Sequence, residues 1–459
     1  MSNEALHFES HTELASAISG LLWPAVPSPA GAAVLALLFQ LDRSQWLAAE
    51  SLRELQGRQL ESLLRHAALT VPYYRERWAG IGIANFFKLP ILKRADLQEN
   101  FESLKSTELP RSHGAAVQTS TSGSTGAPVH VLKTGLTQLF WRAFTLRDHL
   151  WQRRDFSGKL ATIRHGISSG EHRNWGGATG DLIKTGAVAL LHIGADIDEQ
   201  LRWLALHRPA YLMTYPSNVA ELASSALAQG IKLPGLRQVR TLGEVLTPEV
   251  RELCRVAWDV PVTDVYSSDE IGYLALQCPA GDEYHVQSEG VLLEVLDEED
   301  RPCLPGQVGR VVVTDLHNFA TPLVRYELGD YAEPGASCAC GRGLPVLRRI
   351  MGRTRNILLA PDGKRYWPFF GTRSFAKIAP VLQQQFVQKS RDLVEARLVT
   401  AAPLTQEQEQ ELRSHIASRL PPGFSVTITR IAEIPRSAGG KFEDFISEVT
   451  VPPRPSGRG

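Results

Sequence analysis

The sequence predicts an α/β protein, with a large N-terminal domain of mixed β-sheets with flanking helices and a small C-terminal α+β unit. Between residues 129 and 290, short apolar runs alternate with helical stretches, a pattern typical of parallel strands joined by crossover helices. Near residues 352–354 the pattern changes to a shorter unit of about a hundred residues. We therefore predict domains at 1–352 and 353–451, followed by a disordered tail at 452–459.

The individual elements follow from apolar spacing and from residues that end helices. Leucines at helical spacing, followed by Pro72, indicate a helix near the N-terminus, and Gly230 closes another. Helices are predicted at 51–68, 93–101, 217–229 and 405–420. Strands are predicted at 160–163, 211–214, 290–296, 309–314 and 425–429.

Composition excludes several classes of protein. The chain has 459 residues, with 49 basic and 49 acidic side chains and a formal net charge of zero, so it offers no general polyanion surface and no nucleic-acid partner is expected. No uninterrupted apolar run reaches membrane-spanning length, and residues 1–9 are too acidic and polar for a signal peptide. Five cysteines in so long a chain do not make a disulfide framework. These observations predict a cytoplasmic protein.

The most informative segment is a loop of alternating hydroxyl and glycine residues that ends at Pro128. Its members are Ser120, Thr121, Ser122, Gly123, Ser124, Thr125 and Gly126. Apolar residues on both sides place it between two strands, and glycines let backbone N–H groups approach an anion closely. No lysine follows the last glycine, so it is not the loop of the P-loop enzymes. The loop therefore predicts a phosphate site, and the alternative is a flexible polar linker.

Five further motifs follow this loop in a fixed order. They are Gly243-Glu244, Tyr266-Ser267-Ser268-Asp269-Glu270, the segment 321–330, Gly352-Arg353-Thr354-Arg355-Asn356, and Pro435-Arg436-Ser437-Ala438-Gly439-Gly440-Lys441-Phe442. Each motif alone is weak, but their order and spacing resemble the adenylate-forming superfamily of acyl-CoA synthetases and adenylation domains. More narrowly, nearly the whole chain resembles the phenylacetate–CoA ligase-like branch.

This resemblance implies a reaction with ATP and Mg²⁺. A carboxylate would attack the α-phosphate of ATP to give an acyl-adenylate and pyrophosphate, and the loop at 120–126 would hold the β- and γ-phosphates. Glu270 would help to hold Mg²⁺, a hard cation that prefers oxygen ligands. The alternative for Glu270 is a surface carboxylate that caps a helix.

The resemblance also implies a set of nucleotide contacts. They are Gly243, Glu244, Tyr266, Ser267, Ser268, Asp330 and Arg353. Tyr266 would stack on adenine, and the oxygens of Asp330 would accept hydrogen bonds from the ribose hydroxyls. The alternatives are an ordinary core aromatic for Tyr266 and a turn residue after Gly329 for Asp330.

Lys441 follows two glycines and is the predicted catalytic lysine. By resemblance it would bridge the carboxylate and the α-phosphate and neutralise the charge that develops in the transition state. The alternative is a solvated surface lysine. The resemblance further makes the C-terminal unit a mobile cap. Arg355-Asn356 stands where many relatives have an acidic hinge residue, and the loop 361–368 also departs from their pattern.

Four residues could form a metal site. Cys278, His285, Cys338 and Cys340 offer three thiolates and one imidazole, a set that suits tetrahedral zinc. Their spacing differs from that of zinc fingers, and some phenylacetate–CoA ligase-like relatives carry a similar arrangement. We predict a structural zinc site; the alternative is four unrelated residues. Cys254 and Cys303 are interpreted as structural or incidental.

The acid pocket is expected between the loop and Glu270, or just beyond it. Aromatic side chains suit a planar acid, although such residues are more often part of the core. The candidates are Trp141, Trp151, His165, Trp175, Tyr215 and Tyr273. The resemblance favours an aromatic or arylacetic acid as substrate.

The sequence therefore predicts an ATP-dependent acid–thiol ligase, with CoA as the expected acceptor. The altered hinge and cap loop leave open an amine or a carrier-protein thiol as the acceptor. A third alternative is a non-catalytic nucleotide-binding homologue, although Glu270, Asp330, Arg353 and Lys441 are all present. The resemblance also makes a homodimer a possible assembly.

Overall fold

We analysed a computed structural model that describes residues 12–120, 128–353, 357–366, 368, 375, 378–434, 442 and 444–449. The chain divides into two compact units, Met1–Ile350 and Met351–Gly459. Residues 121–126 of the predicted phosphate loop, residues 354–356, Lys441 and the predicted tail lie outside the described residues. Among the described residues, no helix is long and apolar enough to cross a membrane.

The described helices are α1 Pro29–Ser44, α2 Ala49–Thr70, α3 Pro72–Arg77, α4 Arg94–Glu99, α5 Phe101–Leu104, α6 Gly135–Trp151, α7 Ile197–His207, α8 Pro216–Gln229, α9 Pro248–Trp258 and α10 Gln406–Ala417. The predicted helices at 51–68 and 217–229 are confirmed. The short helix predicted at 93–101 is present as α4 but ends earlier, at Glu99, because non-helical backbone at Asn100 separates α4 from α5. The helix predicted at 405–420 ends earlier, at Ala417.

The strands of the first unit are β1 Val117–Ser120, β2 His130–Lys133, β3 Leu160–Arg164, β4 Gly170–His172, β5 Val188–His192, β6 Tyr211–Thr214, β7 Gln238–Leu242, β8 Val262–Ser268, β9 Gly272–Gln277, β10 Tyr284–Val286, β11 Val291–Leu296, β12 Gly309–Asp315, β13 Tyr326–Pro334 and β14 Val346–Arg353, which runs past Ile350 into the second unit. Those of the second unit are β15 Leu358–Leu359, β16 Arg365–Tyr366, β17 Val381–Ser390, β18 Leu393–Thr400, β19 Ser425–Arg430 and β20 Phe445–Ser447. All five predicted strands are confirmed.

One mixed sheet organises the first unit. Its 12 strands run in the order β11-β12-β13-β14-β10-β9-β8-β7-β6-β3-β5-β4. Strands β5, β3, β6, β7 and β8 are parallel. The pairs β4–β5, β8–β9, β9–β10, β10–β14, β11–β12 and β12–β13 are antiparallel. The carboxyl ends of parallel strands meet at one edge of a sheet, which is where ligands bind in α/β folds. That edge places the ends of β6, β7 and β8 side by side.

Apolar side chains cover both faces of the parallel part of this sheet. Leu212 and Val239 lie in a core with residues of α7, α8 and α9. Phe144 of α6 and residues of α1 form a second core with Val265 and Tyr273. The parallel strands are therefore buried between two helical layers, as the near-continuous apolar runs predict.

The second unit has a core of its own. Strands β19-β18-β17-β20 form a four-stranded sheet, with α10 between β18 and β19 in the chain. Phe386, Leu398, Leu412 and Phe445 are buried together in its core. A capping box between Thr405 and residue 408 starts α10, since each side chain binds the backbone N–H of the other. This is the α+β unit that the sequence predicts.

Candidate active site and metal centre

The turn between β8 and β9 collects several predicted nucleotide contacts. Tyr266 is buried near the end of β8, and its hydroxyl donates a hydrogen bond of 2.9 Å to Oδ2 of Asp330 on β13. Ser267 and Ser268 follow on β8, and the Ser268 hydroxyl accepts from the backbone N–H of Ile271. The residue predicted to stack on adenine and the residue predicted to bind the ribose are thus in direct contact.

Glu270 is 7 % exposed in the same turn and has a basic partner from a distant part of the chain. Its Oε1 lies 3.2 Å from Nη1 of Arg94, on α4. Lys133, at the end of β2, donates a hydrogen bond of 2.7 Å from Nζ to the carbonyl oxygen of Asp269. Burial lowers the pKa of Lys133, although the carboxylates of Asp315, Asp269 and Glu270 oppose the shift. A carboxylate at this position has the oxygen donors that Mg²⁺ prefers.

The Gly243-Glu244 motif lies at the carboxyl end of β7. Gly243 has a φ of 79°, a left-handed conformation that favours glycine. The Glu244 carboxylate accepts a hydrogen bond of 2.9 Å from the backbone N–H of Ser217, in the first turn of α8. This contact satisfies a helix N-terminal donor and places a negative charge at the positive end of the helix dipole. Glu244 thereby fixes the loop after β7 against the start of α8.

The predicted phosphate loop joins the strands of a hairpin. β1 and β2 pair antiparallel, with Ser120 opposite His130, so the loop lies between two strands as predicted. Asn318 and Thr321 connect β2 to the 321–330 motif through hydrogen bonds with the backbone of Leu132. Arg353 is half-buried at the end of β14.

Sequence reasoning missed Arg94, Lys133 and Asp315. Arg94 lies 176 positions from Glu270 along the chain, and no local motif marks it. Lys133 directly precedes Thr134, which caps α6, and Asp315 ends β12. Burial raises the pKa of Asp315 to about 6. The signal available for Lys133 was a charged residue soon after the predicted loop, and for Asp315 it was a carboxylate directly after the predicted strand at 309–314.

The candidates for the acid pocket occupy different surroundings. Tyr273 is buried on β9 and bonds to Arg240 and Thr145. Tyr215 is buried in the core beneath α8, with its hydroxyl 3.4 Å from the backbone nitrogen of His165, which is exposed. Trp141, on α6, is 42 % exposed.

The remaining two tryptophan candidates lie in the packing around α6. Trp151 is buried, and its Nε1 donates to Gln45. Trp175 is half-buried, and its Nε1 donates to the carbonyl oxygen of Gly158. Both indoles therefore have protein partners for their only polar atom.

The four predicted metal ligands converge. Their ligand atoms all lie within 4.8 Å of one another. Sγ of Cys278 is 3.7 Å from Sγ of Cys338, and Sγ of Cys340 is 3.3 Å from Nε2 of His285. A disulfide would bring two sulfurs to about 2.0 Å. A zinc tetrahedron with bonds of about 2.3 Å has edges near ~3.8 Å, so the observed separation of the Cys278 and Cys338 sulfurs fits a metal.

Two tight turns present the thiols. The backbone N–H of Ala280 lies 3.4 Å from Sγ of Cys278, and the N–H of Gly281 donates to the Cys278 carbonyl. In the second turn, the N–H of Gly341 donates to the carbonyl of Cys338. The N–H of Ala280 points at the sulfur of Cys278 and favours its thiolate, which is the form that binds metals.

Burial shifts the pKa values of the thiols and the imidazole in this cluster. Burial raises the pKa of Cys278 to about 12 and lowers the pKa of His285 to about 4. Burial also opposes ionisation of Cys340, but hydrogen bonds from Arg342 outweigh it and lower the pKa of that thiol. Metal binding needs a neutral imidazole and deprotonated thiols. His285 meets this requirement, and a bound cation would stabilise the thiolate of Cys278 against the effect of burial.

Comparison with known proteins identifies the fold and the relatives. No protein-family model matches the chain. A phenylacetate-coenzyme A ligase of Thermus thermophilus is 27% identical, over 86% of this chain and 96% of the relative. A phenylacetate-coenzyme A ligase of Escherichia coli (strain K12) is 23% identical, over 87% of this chain and 96% of the relative.

Solved structures of CoA ligases have the same fold. A 2-hydroxyisobutyryl-CoA ligase in a postadenylation state superimposes with a TM-score of 0.68 at 20% identity, covering 88% of this chain and 91% of that chain. An anthranilate CoA ligase gives 0.51 at 16% identity, covering 73% and 68%. The fold is that of the adenylate-forming CoA ligases. Within that fold, the chain is a homologue of phenylacetate–CoA ligases, which confirms the predicted resemblance.

Proposed function

We propose that this protein is an acid–thiol ligase that activates a carboxylic acid with ATP as an acyl-adenylate and transfers the acyl group to CoA. The observation that carries the proposal is homology along nearly the whole length of phenylacetate-coenzyme A ligases. The 2-hydroxyisobutyryl-CoA ligase with the same fold has been solved with an acyl-adenylate, and also with CoA. These relatives favour CoA over an amine or a carrier-protein thiol as the acceptor.

The local geometry supports a nucleotide site at the carboxyl ends of β7 and β8. Tyr266 is fixed through its hydroxyl by Asp330, so its ring has one orientation and can offer a face to adenine. Gly243 turns the chain there with a positive φ, and Glu270 lies in the turn after β8. In this proposal the loop at 120–126 holds the β- and γ-phosphates, Glu270 holds Mg²⁺, and Arg353 contacts the nucleotide.

Lys441 is the proposed catalytic lysine. Its compact positive charge would lie between the attacking carboxylate and the α-phosphate, where negative charge is brought together in the transition state. The C-terminal unit is proposed as the cap that delivers it. Because the compact core of this unit is separate from that of the first unit, it can move as a body.

The cluster of Cys278, His285, Cys338 and Cys340 is proposed as a structural zinc site. Four protein ligands leave no open coordination position, so the ion would hold the β9–β10 hairpin to the loop before β14 rather than act on substrate. The five cysteines are free, which suits the predicted cytoplasmic location.

Pyrophosphate release tests the proposed function directly. Aryl, arylacetic and fatty acids would be supplied one at a time with ATP and Mg²⁺, with and without CoA. We expect release to depend on an aromatic or arylacetic acid, and CoA to raise turnover and yield a thioester. Release that does not respond to CoA would favour an amine or carrier-protein acceptor. No release with any acid, together with ATP binding, would favour a non-catalytic homologue.

A matched variant links that activity to the site. Lys441→Ala should lower adenylation by about 10²–10³-fold while ATP binding changes little, since the lysine acts on charge in the transition state. Lys389→Ala, in the same unit but on β17, is the control and should retain activity. An unchanged rate in Lys441→Ala would remove this lysine from the mechanism.

A further inference from the structure

A row of side chains crosses the parallel strands on the face that α6 covers. Strand register places Thr162, Met213, Arg240 and Thr263 side by side on β3, β6, β7 and β8. Residues in register on parallel strands point to the same face of a sheet. Arg240 contacts residues of α6 and β9 on this face, so its guanidinium lies between the sheet and that helix.

The charges beneath α6 do not balance. Asp148 accepts hydrogen bonds of 2.7 Å from both Arg154 and Arg240. Its carboxylate is 1% exposed, and the two guanidinium groups are 2% and 9% exposed. Burial keeps the pKa of the neighbouring His149 well below its ordinary value, so this imidazole is neutral. Among the described contacts, two buried cations therefore share one carboxylate, and surplus buried charge is costly unless another group pairs with it.

A hydrogen-bond chain fixes the direction of the Arg240 guanidinium. Nη2 of Arg240 donates to the hydroxyl of Tyr273, which lies 2.9 Å from Oγ1 of Thr145. Thr145 in turn donates its proton to the carbonyl oxygen of Trp141. The Tyr273 hydroxyl must therefore donate to Thr145 and accept from Arg240. The remaining terminal nitrogen, Nη1, lies 2.9 Å from Sδ of Met213, and a thioether is a weak acceptor.

Two side chains in the strand rows next to Arg240 are not fully buried. Met213 and Leu242 are half-buried, whereas their strand neighbours Leu212 and Thr241, which face the opposite layer, are fully buried. Arg240 is 8% exposed. It lies three positions before Gly243, roughly 10 Å along an extended strand. That depth suits an acid with one ring or a short chain between two polar ends.

We propose that Arg240 forms the inner end of the acid pocket, where it binds a hydrogen-bond-accepting group, preferentially an anionic one, at the far end of the carboxylic acid. This inference rests on the proposed acid activation. The distal group replaces the Met213 sulfur as the partner of Nη1 and balances the surplus charge. An acid that ends in a methyl group leaves that charge unpaired, so such acids should be poorer substrates by roughly tenfold to a hundredfold.

Matched acids test the proposal with the complete protein. Pyrophosphate release would be measured with 4-methyl-, 4-hydroxy- and 4-carboxyphenylacetate, and with the aliphatic pair valerate and glutarate. Calorimetry would give the affinities of the sulfamoyl-adenosine analogues of the three ring acids. We expect kcat/KM and analogue affinity to rise from methyl to hydroxyl to carboxylate. Equal or better use of the methyl acid would overturn the inference and leave acid activation in place, whereas no release with any acid would defeat both.

Variants separate recognition from a purely structural role. Arg240→Met should bring the methyl and carboxylate analogues to within about threefold of each other, and Arg240→Lys should retain part of the preference. Arg237→Met is the control, because this exposed arginine near the start of β7 pairs with Asp155. If Arg240→Met is unstable, Arg240→Gln is the second variant, because its amide removes the charge and keeps hydrogen-bond donors next to Asp148, which still pairs with Arg154. Equal weakening of all analogues in a folded variant would overturn the inference.

Discussion

The contact between Tyr266 and Asp330 defines the candidate nucleotide site at the scale of single residues. The two positions are 64 residues apart, and the mixed sheet brings them within hydrogen-bond distance. The bond uses one of the acceptor sites of the carboxylate, whose two oxygens offer about four. It fixes the phenol ring at the same time. A ribose hydroxyl and an adenine ring could therefore be recognised by neighbouring side chains that already hold one another.

Glu270→Gln should weaken the step that depends on Mg²⁺. The amide lacks the negative charge that binds the cation, so we expect a loss of about tenfold or more in adenylation at low Mg²⁺, with partial recovery at high Mg²⁺. Asp269→Asn is the control, since Asp269 is adjacent and its side chain is exposed. Initial rates across a Mg²⁺ titration provide the measurement. Identical Mg²⁺ curves for Glu270→Gln and the unmodified chain would count against a metal role.

Asp315 makes a pH-dependent contribution to stability. Burial raises its pKa to about 6 in the folded chain, so its contribution is most favourable at low pH and is lost as pH rises through 6. Asp315→Asn removes the charge and keeps an oxygen for the N–H of His317. Between pH 5 and pH 8 the variant should gain about 1.5 kcal/mol in free energy of unfolding relative to the unmodified chain. Urea unfolding at both pH values measures the difference, and parallel profiles would contradict the prediction.

At the scale of elements, strands and helices with strong apolar periodicity could be predicted, and contacts between distant elements could not. Strands at 160–163 and 211–214 and the helix that Gly230 closes follow from local spacing. The break at Asn100 does not, because the leucine pattern continues across it. Arg94 reaches Glu270 only through the sheet topology, which a local motif does not specify. The cysteine cluster was predictable as a set, but its convergence required the folded chain.

The cysteine cluster should bind one zinc ion per chain. Metal analysis of protein purified without a histidine tag checks this prediction, and substoichiometric zinc after expression with added zinc would contradict it. Cys340→Ser should lose most of the metal and lower the unfolding temperature. Cys303→Ser, at a half-buried cysteine outside the cluster, should retain the metal. A chelator should destabilise the unmodified chain and have little further effect on Cys340→Ser, since a bound structural ion adds directly to folding stability.

At the scale of the whole molecule, the two units have separate hydrophobic cores. The core around Phe386 and Leu398 contains only residues of the second unit, and the core around Leu212 contains only residues of the first. Each unit can therefore gain and lose its packing energy by itself. This separation is what a mobile cap requires, because a cap that moves during a reaction must stay folded when its contacts change.

Separate cores predict separate unfolding transitions. Leu398→Ala deletes fully buried side-chain volume in the second unit and should destabilise that unit by about 2–5 kcal/mol. Leu212→Ala is the matched change in the first unit, at an equally buried position. In calorimetry of the full chain, Leu398→Ala should shift one transition, and Leu212→Ala should shift the other. Zinc removal should act only on the transition that Leu212→Ala shifts, because all four cysteine and histidine ligands lie in the first unit. A single transition that moves as a whole in both variants would instead mean that the units unfold as one, and the second unit would then not qualify as an independently folded cap.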